Sequence, residues 1–200
     1  MGHMGRGSVH FLKVYGEAGV GKIRQLFEYE SWLQTQPQRV EMLRGRALPA
    51  TLQSPYGLVR DMFQERFEIL ENDSAAEVRR KFEAGMGDFL PQERTHVLGH
   101  VLGFGFGDTQ AVKEVAGSKL MASEAMDDLS LWLRVWALQT PLLILLDDLH
   151  WADDSSLDFL EKLMSEITGE RLLVIGMARH RFGERRPEWG GAQAYVRLDL

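Results

Sequence analysis

The sequence predicts an α/β domain built on a parallel, doubly wound sheet, and three observations carry that expectation. A short apolar run at 9–15 leads into a glycine-rich loop that opens a helical pattern. A second run, Leu142-Leu143-Ile144-Leu145-Leu146, is apolar at every position, as befits a parallel strand covered on both faces. Helical periodicities separate these runs from the other strand candidates, the alternation that crossover helices produce between parallel strands.

Taken in order, 9–15 is the first strand and 22–36 the first helix, with Leu26, Tyr29 and Leu33 on one stripe and Pro37 closing it. A weaker strand pattern covers 40–44, and 49–55 reads as a loop. Helix 56–70 sets Leu58, Met62 and Phe63 on a common face. Asn72-Asp73-Ser74 caps a helix that runs to 89, and Pro91 restarts a helical stretch to 102. The run Gly103-Phe104-Gly105-Phe106-Gly107 reads as a flexible hinge or loop. A long amphipathic helix, 118–139, places Leu129, Trp132, Leu133 and Trp136 at i, i+3, i+4 and i+7, the spacing of core residues, before Pro141 stops it.

Beyond strand 142–146, helix 153–168 carries a capping box, Ser155 to Asp158, and a stripe of Leu157, Leu160, Met164 and Ile167. Strands at 171–177 and 194–200 complete a parallel sheet of about five strands sandwiched between helices. Residues 9–200 are expected to form one domain. Residues 1–8 read as a cloning remnant or disordered start.

Composition narrows the function. The 200 residues are 44% hydrophobic, enough for a sizeable core. Against 23 basic residues stand 29 acidic ones, a net charge of −6 that disfavours direct nucleic-acid binding, since phosphate contacts need a basic face. Cysteine is absent, which removes disulfides and thiolate zinc sites and is compatible with a cytoplasmic home. The most apolar stretch, 129–146, is interrupted by Arg134, Gln139, Thr140 and Pro141, so no membrane span is expected.

Gly16-Glu17-Ala18-Gly19-Val20-Gly21-Lys22 fits Gly-x-x-x-x-Gly-Lys, the phosphate-binding loop, in strand–loop–helix context. Its glycines let the backbone wrap closely around an anion. Successive N–H groups and the positive end of the helix dipole then face the phosphates, and Lys22 adds a mobile charge. Ile23 occupies the place where Ser or Thr would supply a hydroxyl to Mg²⁺. A second signal is the pair Asp147-Asp148 that ends the apolar strand at 142–146. Packing alone would use such acids only to cap a turn. Coupled to the loop, Asp147 is the candidate to hold Mg²⁺ through water and Asp148 to polarise an attacking water.

These two motifs and the text around them resemble the ATPase domain of AAA+/STAND signalling proteins, a P-loop NTPase fold. The resemblance rests on Gly16 to Lys22 and on Leu145-Leu146-Asp147-Asp148-Leu149-His150-Trp151-Ala152-Asp153. Ser54-Pro55-Tyr56-Gly57 and Val174-Ile175-Gly176-Met177-Ala178-Arg179 are similar to landmarks of the same domain. Such domains accompany class III adenylate cyclase domains, serine/threonine kinase domains or the DNA-binding helices of LuxR-type regulators. The resemblance implies ATP and Mg²⁺ as ligands, with nucleotide contacts at Gly16, Glu17, Ala18, Gly19, Val20, Gly21, Lys22, Ile23 and Arg24. It also implies Asp147 at the metal, Asp148 at the catalytic acid position and Arg179 beside the strand that carries a γ-phosphate sensor.

By the same resemblance the partners are other domains of a longer parent protein and further copies of the ATP-bound chain. The segment preceding the first strand and the helical lid are expected to be missing from this chain. Ile23 implies that nucleotide binding outlasts hydrolysis. Three functions remain: a nucleotide switch that regulates an attached signalling output, a catalytically silent binding or scaffold module, and a small-molecule kinase. The last lacks a substrate-pocket signature. A Ras-like GTPase is disfavoured because the one asparagine, Asn72, precedes Asp73 rather than Lys.

Weaker features are read more plainly. His96 and His100 share a helical face without a third metal ligand. His150 and Trp151 would either touch the nucleotide, relay its state or simply pack. Arg181, Arg185 and Arg186 form a small basic cluster read as a solvated loop.

Overall fold

The computed structural model describes residues 10–16, 38–167, 169–189 and 195–199. The predicted helix at 22–36 and most of the phosphate loop lie outside them. Five parallel strands are described: β1 His10–Tyr15, β2 Glu41–Arg46, β3 Leu142–Asp147, β4 Leu172–Ala178 and β5 Tyr195–Asp199. Their order across the sheet is β2-β3-β4-β1-β5, and every pairing is parallel.

Strand β3 shows why its sequence has no alternation. Leu142, Ile144 and Leu146 join the large core cluster on one face, while Leu143 and Leu145 join Val14, Ile175 and Met177 on the other. Both faces exclude water, so each position must be apolar. The weaker strand β2 extends two residues beyond its predicted end, through Gly45 and Arg46. A Cβ at Gly45 would collide with Met62, because the helix Gly57–Arg66 (α1) packs directly over the strand.

Helix α1 stops at Arg66 rather than at 70. Glu68 takes a positive φ of 54°, and the amide of Ile69 reaches back to the carbonyl of Gln64 at 2.9 Å, closing the last turn. Helix α2, Ala75–Met86, begins as predicted, with Ser74 Oγ accepting the Glu77 amide at 3.2 Å. It ends at Gly87, whose φ is +60°, three residues early.

Helix α3 covers Gln92–Val101. The glycine–phenylalanine run that follows is not a loose hinge. Phe104 and Phe106 are buried against Phe82, their ring centroids 4.9 and 5.7 Å from it, and Arg79 binds the Gly105 carbonyl. Helix α4, Gln110–Val115, was not expected, being too short for a periodic stripe. Helix α5, Met121–Gln139, carries Leu129 and Leu133 into the core, whereas Trp132 and Trp136 are only half-buried.

Helix α6, Asp154–Glu166, is capped differently from the prediction. Asp153, not Ser155, is the N-cap, its side chain accepting the Ser156 amide at 2.8 Å, so the cap lies two residues earlier than the capping box required. The arginine cluster is likewise structured. Arg185 and Arg186 belong to or follow a short helix, α7, Arg181–Arg185. Both donate to Asp154, at 2.5 and 2.8 Å, and Arg186 also reaches Asp158 at 3.0 Å. Among the described residues no helix is long and apolar enough to cross a membrane.

This arginine clamp makes a pH prediction. The hydrogen bond from Arg186, with help from Arg185, holds the Asp154 carboxyl below its ordinary value of 3.8. A depressed acid adds stability that is complete above the unfolded value and fades as pH falls through the folded one. Asp154→Asn should therefore destabilise by only about 0.5 kcal/mol at pH 5, since the carboxylate itself is largely exposed. Urea melts should show that gap closing below pH 3.8. A gap of equal size at pH 3 would contradict the assignment.

Candidate nucleotide-binding site

Strand order positions the site. From β1 the chain must travel to β2 at the far edge, whereas from β4 it travels the opposite way to β5. In such open sheets ligands bind beyond the carboxyl ends of the strands where the connections diverge. Gly16, the first residue of the phosphate loop, lies there. Its amide donates to the carbonyl of Ala178 at the end of β4, 3.2 Å away. Tyr15 and Ala178 are register partners, so the loop starts level with the last residue of β4. Arg179 is the next residue along. It is half-buried, and among the described residues no carboxylate lies within 4.0 Å of its guanidinium.

Asp147 and Asp148 stand at the end of β3, the other neighbour of β4. Both are half-buried. Asp148 has φ 55° and ψ 36°, a left-handed conformation that costs about 1–2 kcal/mol for a residue with a side chain. Its amide donates to Asp147 Oδ1 at 2.8 Å, which fixes the first carboxylate. Strain of this kind persists where the surroundings over-determine the backbone. Here the 3₁₀ turn Leu149–Trp151 presses Leu149 onto β4, where a Cβ on Gly176 would approach Leu149 to 2.6 Å. The glycine in Val174-Ile175-Gly176-Met177-Ala178 thus makes room for the turn that aims the acids.

Arg46 is a site residue that sequence reasoning missed. Its Nε and Nη2 both lie 3.3 Å from Asp148 Oδ2. Register explains the meeting: Arg46 ends β2 directly opposite Asp147. No local pattern marks this arginine, because only the pairing of β2 with β3 brings it to the acids. On the other side, Nδ1 of the fully buried His150 ring sits 4.0 Å from Asp148 Oδ1. His150 therefore packs beside the acid, and Trp151 is covered by Arg181 at 4.0 Å from its ring centroid. That stack ties the turn after β3 to the helix after Arg179.

The string ending in Asp153 acquires a structural meaning. Asp153 is buried and caps two helices at once. Oδ1 accepts the amides of Tyr56 and Ser156, each at 2.8 Å, while Oδ2 accepts the Leu58 amide at 3.2 Å and the Ser156 hydroxyl at 2.7 Å. The Ser54-Pro55-Tyr56-Gly57 segment is thereby pinned to the start of α6, with Tyr56 at a positive φ of 59°. His96, one of the histidine pair, instead bonds Glu83 at 2.7 Å.

Glu17, Ala18, Gly19, Val20, Gly21, Lys22, Ile23 and Arg24 lie outside the described residues. What is described is a parallel α/β sheet with carboxylates and the start of a glycine-rich loop at one edge, the arrangement of a P-loop ATPase. A family model for the AAA ATPase domain matches residues 2–175, and the chain belongs to that family. Membership implies nucleotide binding. No curated protein matches the chain.

Proposed function

We propose that this chain is an ATP-binding, weakly hydrolysing regulatory domain of a multidomain cytoplasmic signalling protein. The observation that carries the reading is that Gly16, Arg179 and the Asp147-Asp148 pair follow the carboxyl ends of three adjacent strands, β1, β4 and β3. In this reading Gly16 anchors the loop to β4, the amides from Glu17 to Gly21 cradle phosphates, Lys22 neutralises them, and Arg179 reads the terminal phosphate. Ile23 and Arg24 complete the nucleotide-binding set of this reading.

The donor set suits Mg²⁺, a hard cation that favours carboxylate oxygens and retained waters, with Asp147 holding it through water. When bound, the ion would neutralise charge developing on the phosphates. Asp148 orients the attacking water. Two features keep turnover low: Ile23 withholds the usual hydroxyl, and Arg46 occupies the Asp148 carboxylate. Self-association in the ATP-bound form would follow from the same reading.

Steady-state phosphate release tests it. Release should be measurable and should fall at least 100-fold in Lys22→Ala and in Asp148→Asn, the scale expected when a positioning or water-orienting group is removed. Ile23→Thr should raise Mg²⁺-dependent turnover. Release that survives in the first two variants sinks the hydrolytic reading and leaves a catalytically silent binding module, which Ile23 and the Arg46 contact favour as the second choice.

A further inference from the structure

A second pocket, of about 680 Å³, lies at the opposite end of β2 from the acids. It is walled by the start of β2, the end of α1, the second half of α2 and the last turns of α5. Its position is set by the strand itself. Glu41, which lines the pocket, is the first residue of β2 and Arg46 is the last, so the two sites stand about 17 Å apart at the strand rise.

Four aromatic rings form part of the wall. Phe67, Phe89, Trp132 and Trp136 all line the space and all are half-buried, with the two tryptophan rings 4.9 Å apart. Each ring keeps part of its surface in water, and a ligand that covers the remainder gains the hydrophobic stabilisation of that area. A volume in this range and walls of this kind are those of small-molecule sites.

Hydrogen-bond donors among the lining residues, rather than net charge, point to the ligand. Arg66, Arg80 and Lys81 line the pocket against two acids, Glu41 and Glu68. Both oxygens of Glu41 are already occupied, one by Arg39 at 2.7 Å and the other by Arg66 at 3.2 Å. The acids that hold Arg80 and Lys81, Glu77 and Asp73, lie outside the pocket lining. The cations keep donors in hand. Lys81 uses two of its three N–H groups, on the Glu68 carbonyl and Asp73, and Arg80 commits Nε and Nη2 to Glu77. Arg66 spreads over the Trp136 ring at 5.0 Å. Guanidinium and ammonium donors beside two rings tilted 53° to one another complement an aromatic body with one carboxylate.

We infer that this pocket binds a planar aromatic carboxylic acid, its ring against Trp132 and Trp136 and its carboxylate at Arg80 and Lys81. The ligand is distinct from the nucleotide and occupies a separate site, so its binding stands or falls independently of ATP.

Calorimetric titration of 2-naphthoate, with 2-naphthamide as the uncharged match, tests the inference on the full chain. The acid should bind at one site and at least tenfold more tightly than the amide. Ala84→Glu, which places a carboxylate at the mouth from an exposed position, and Arg80→Glu should each weaken the acid at least tenfold. Ala84→Glu should melt with the parent chain, because that position is exposed, and Arg80→Glu, which also loses the Glu77 pair, should melt only about 2–4 °C lower. Excess ATP should leave the titration unchanged. No saturable binding, equal affinity for acid and amide, indifference to both substitutions, or displacement by ATP would each overturn the inference.

Discussion

Asp153→Ala should lower the melting temperature by roughly 10 °C, from a loss of about 3–5 kcal/mol spread over a domain of this size. The carboxylate is buried and accepts three backbone amides and one hydroxyl. Alanine leaves the amides of Tyr56, Leu58 and Ser156 without that acceptor, and each buried unpaired donor costs about 1–3 kcal/mol. Two helix starts fail together, because Val59 in turn donates to the Ser156 hydroxyl that Asp153 holds. Asp153→Asn, which keeps one oxygen, should recover part of the loss. Circular dichroism melts of the three proteins provide the check. A shift below 2 °C for alanine would show that Asp153 is not the joint between α1 and α6.

Arg46→Ala should raise phosphate release about fivefold while leaving ATP affinity within twofold. The Arg46 guanidinium is largely exposed, so the pair with Asp148 is worth about 1 kcal/mol, which corresponds to about a fivefold change in rate. Freed of that contact, the carboxylate can turn toward water beside the loop. The double variant with Asp148→Asn should be as inactive as Asp148→Asn alone. Reduced release in Arg46→Ala would mean that the arginine positions Asp148 for catalysis instead of holding it back.

Much of this arrangement was legible in the sequence because it is local. The apolar run Leu142 to Leu146 identifies a doubly covered strand wherever it sits, and Asp147-Asp148 follow it by one peptide bond. Ser74 caps its helix by its own side chain, so its sequence suffices. Long-range pairings escaped. Arg46 reaches Asp148 only through the β2–β3 register, and Asp153 serves α1 across 97 and 95 residues of chain. Phe104 and Phe106 looked like linker residues because their glycine neighbours advertise freedom. Tertiary packing on Phe82 overrides that local signal.

The central claim, that the divergent sheet edge is a nucleotide site, is tested most directly by calorimetric titration of ATP and ADP with and without Mg²⁺. The parent chain should bind ATP at one site, more tightly with Mg²⁺, and Lys22→Ala should weaken it at least tenfold. Absence of binding, or binding that Lys22→Ala leaves unchanged, would contradict the account.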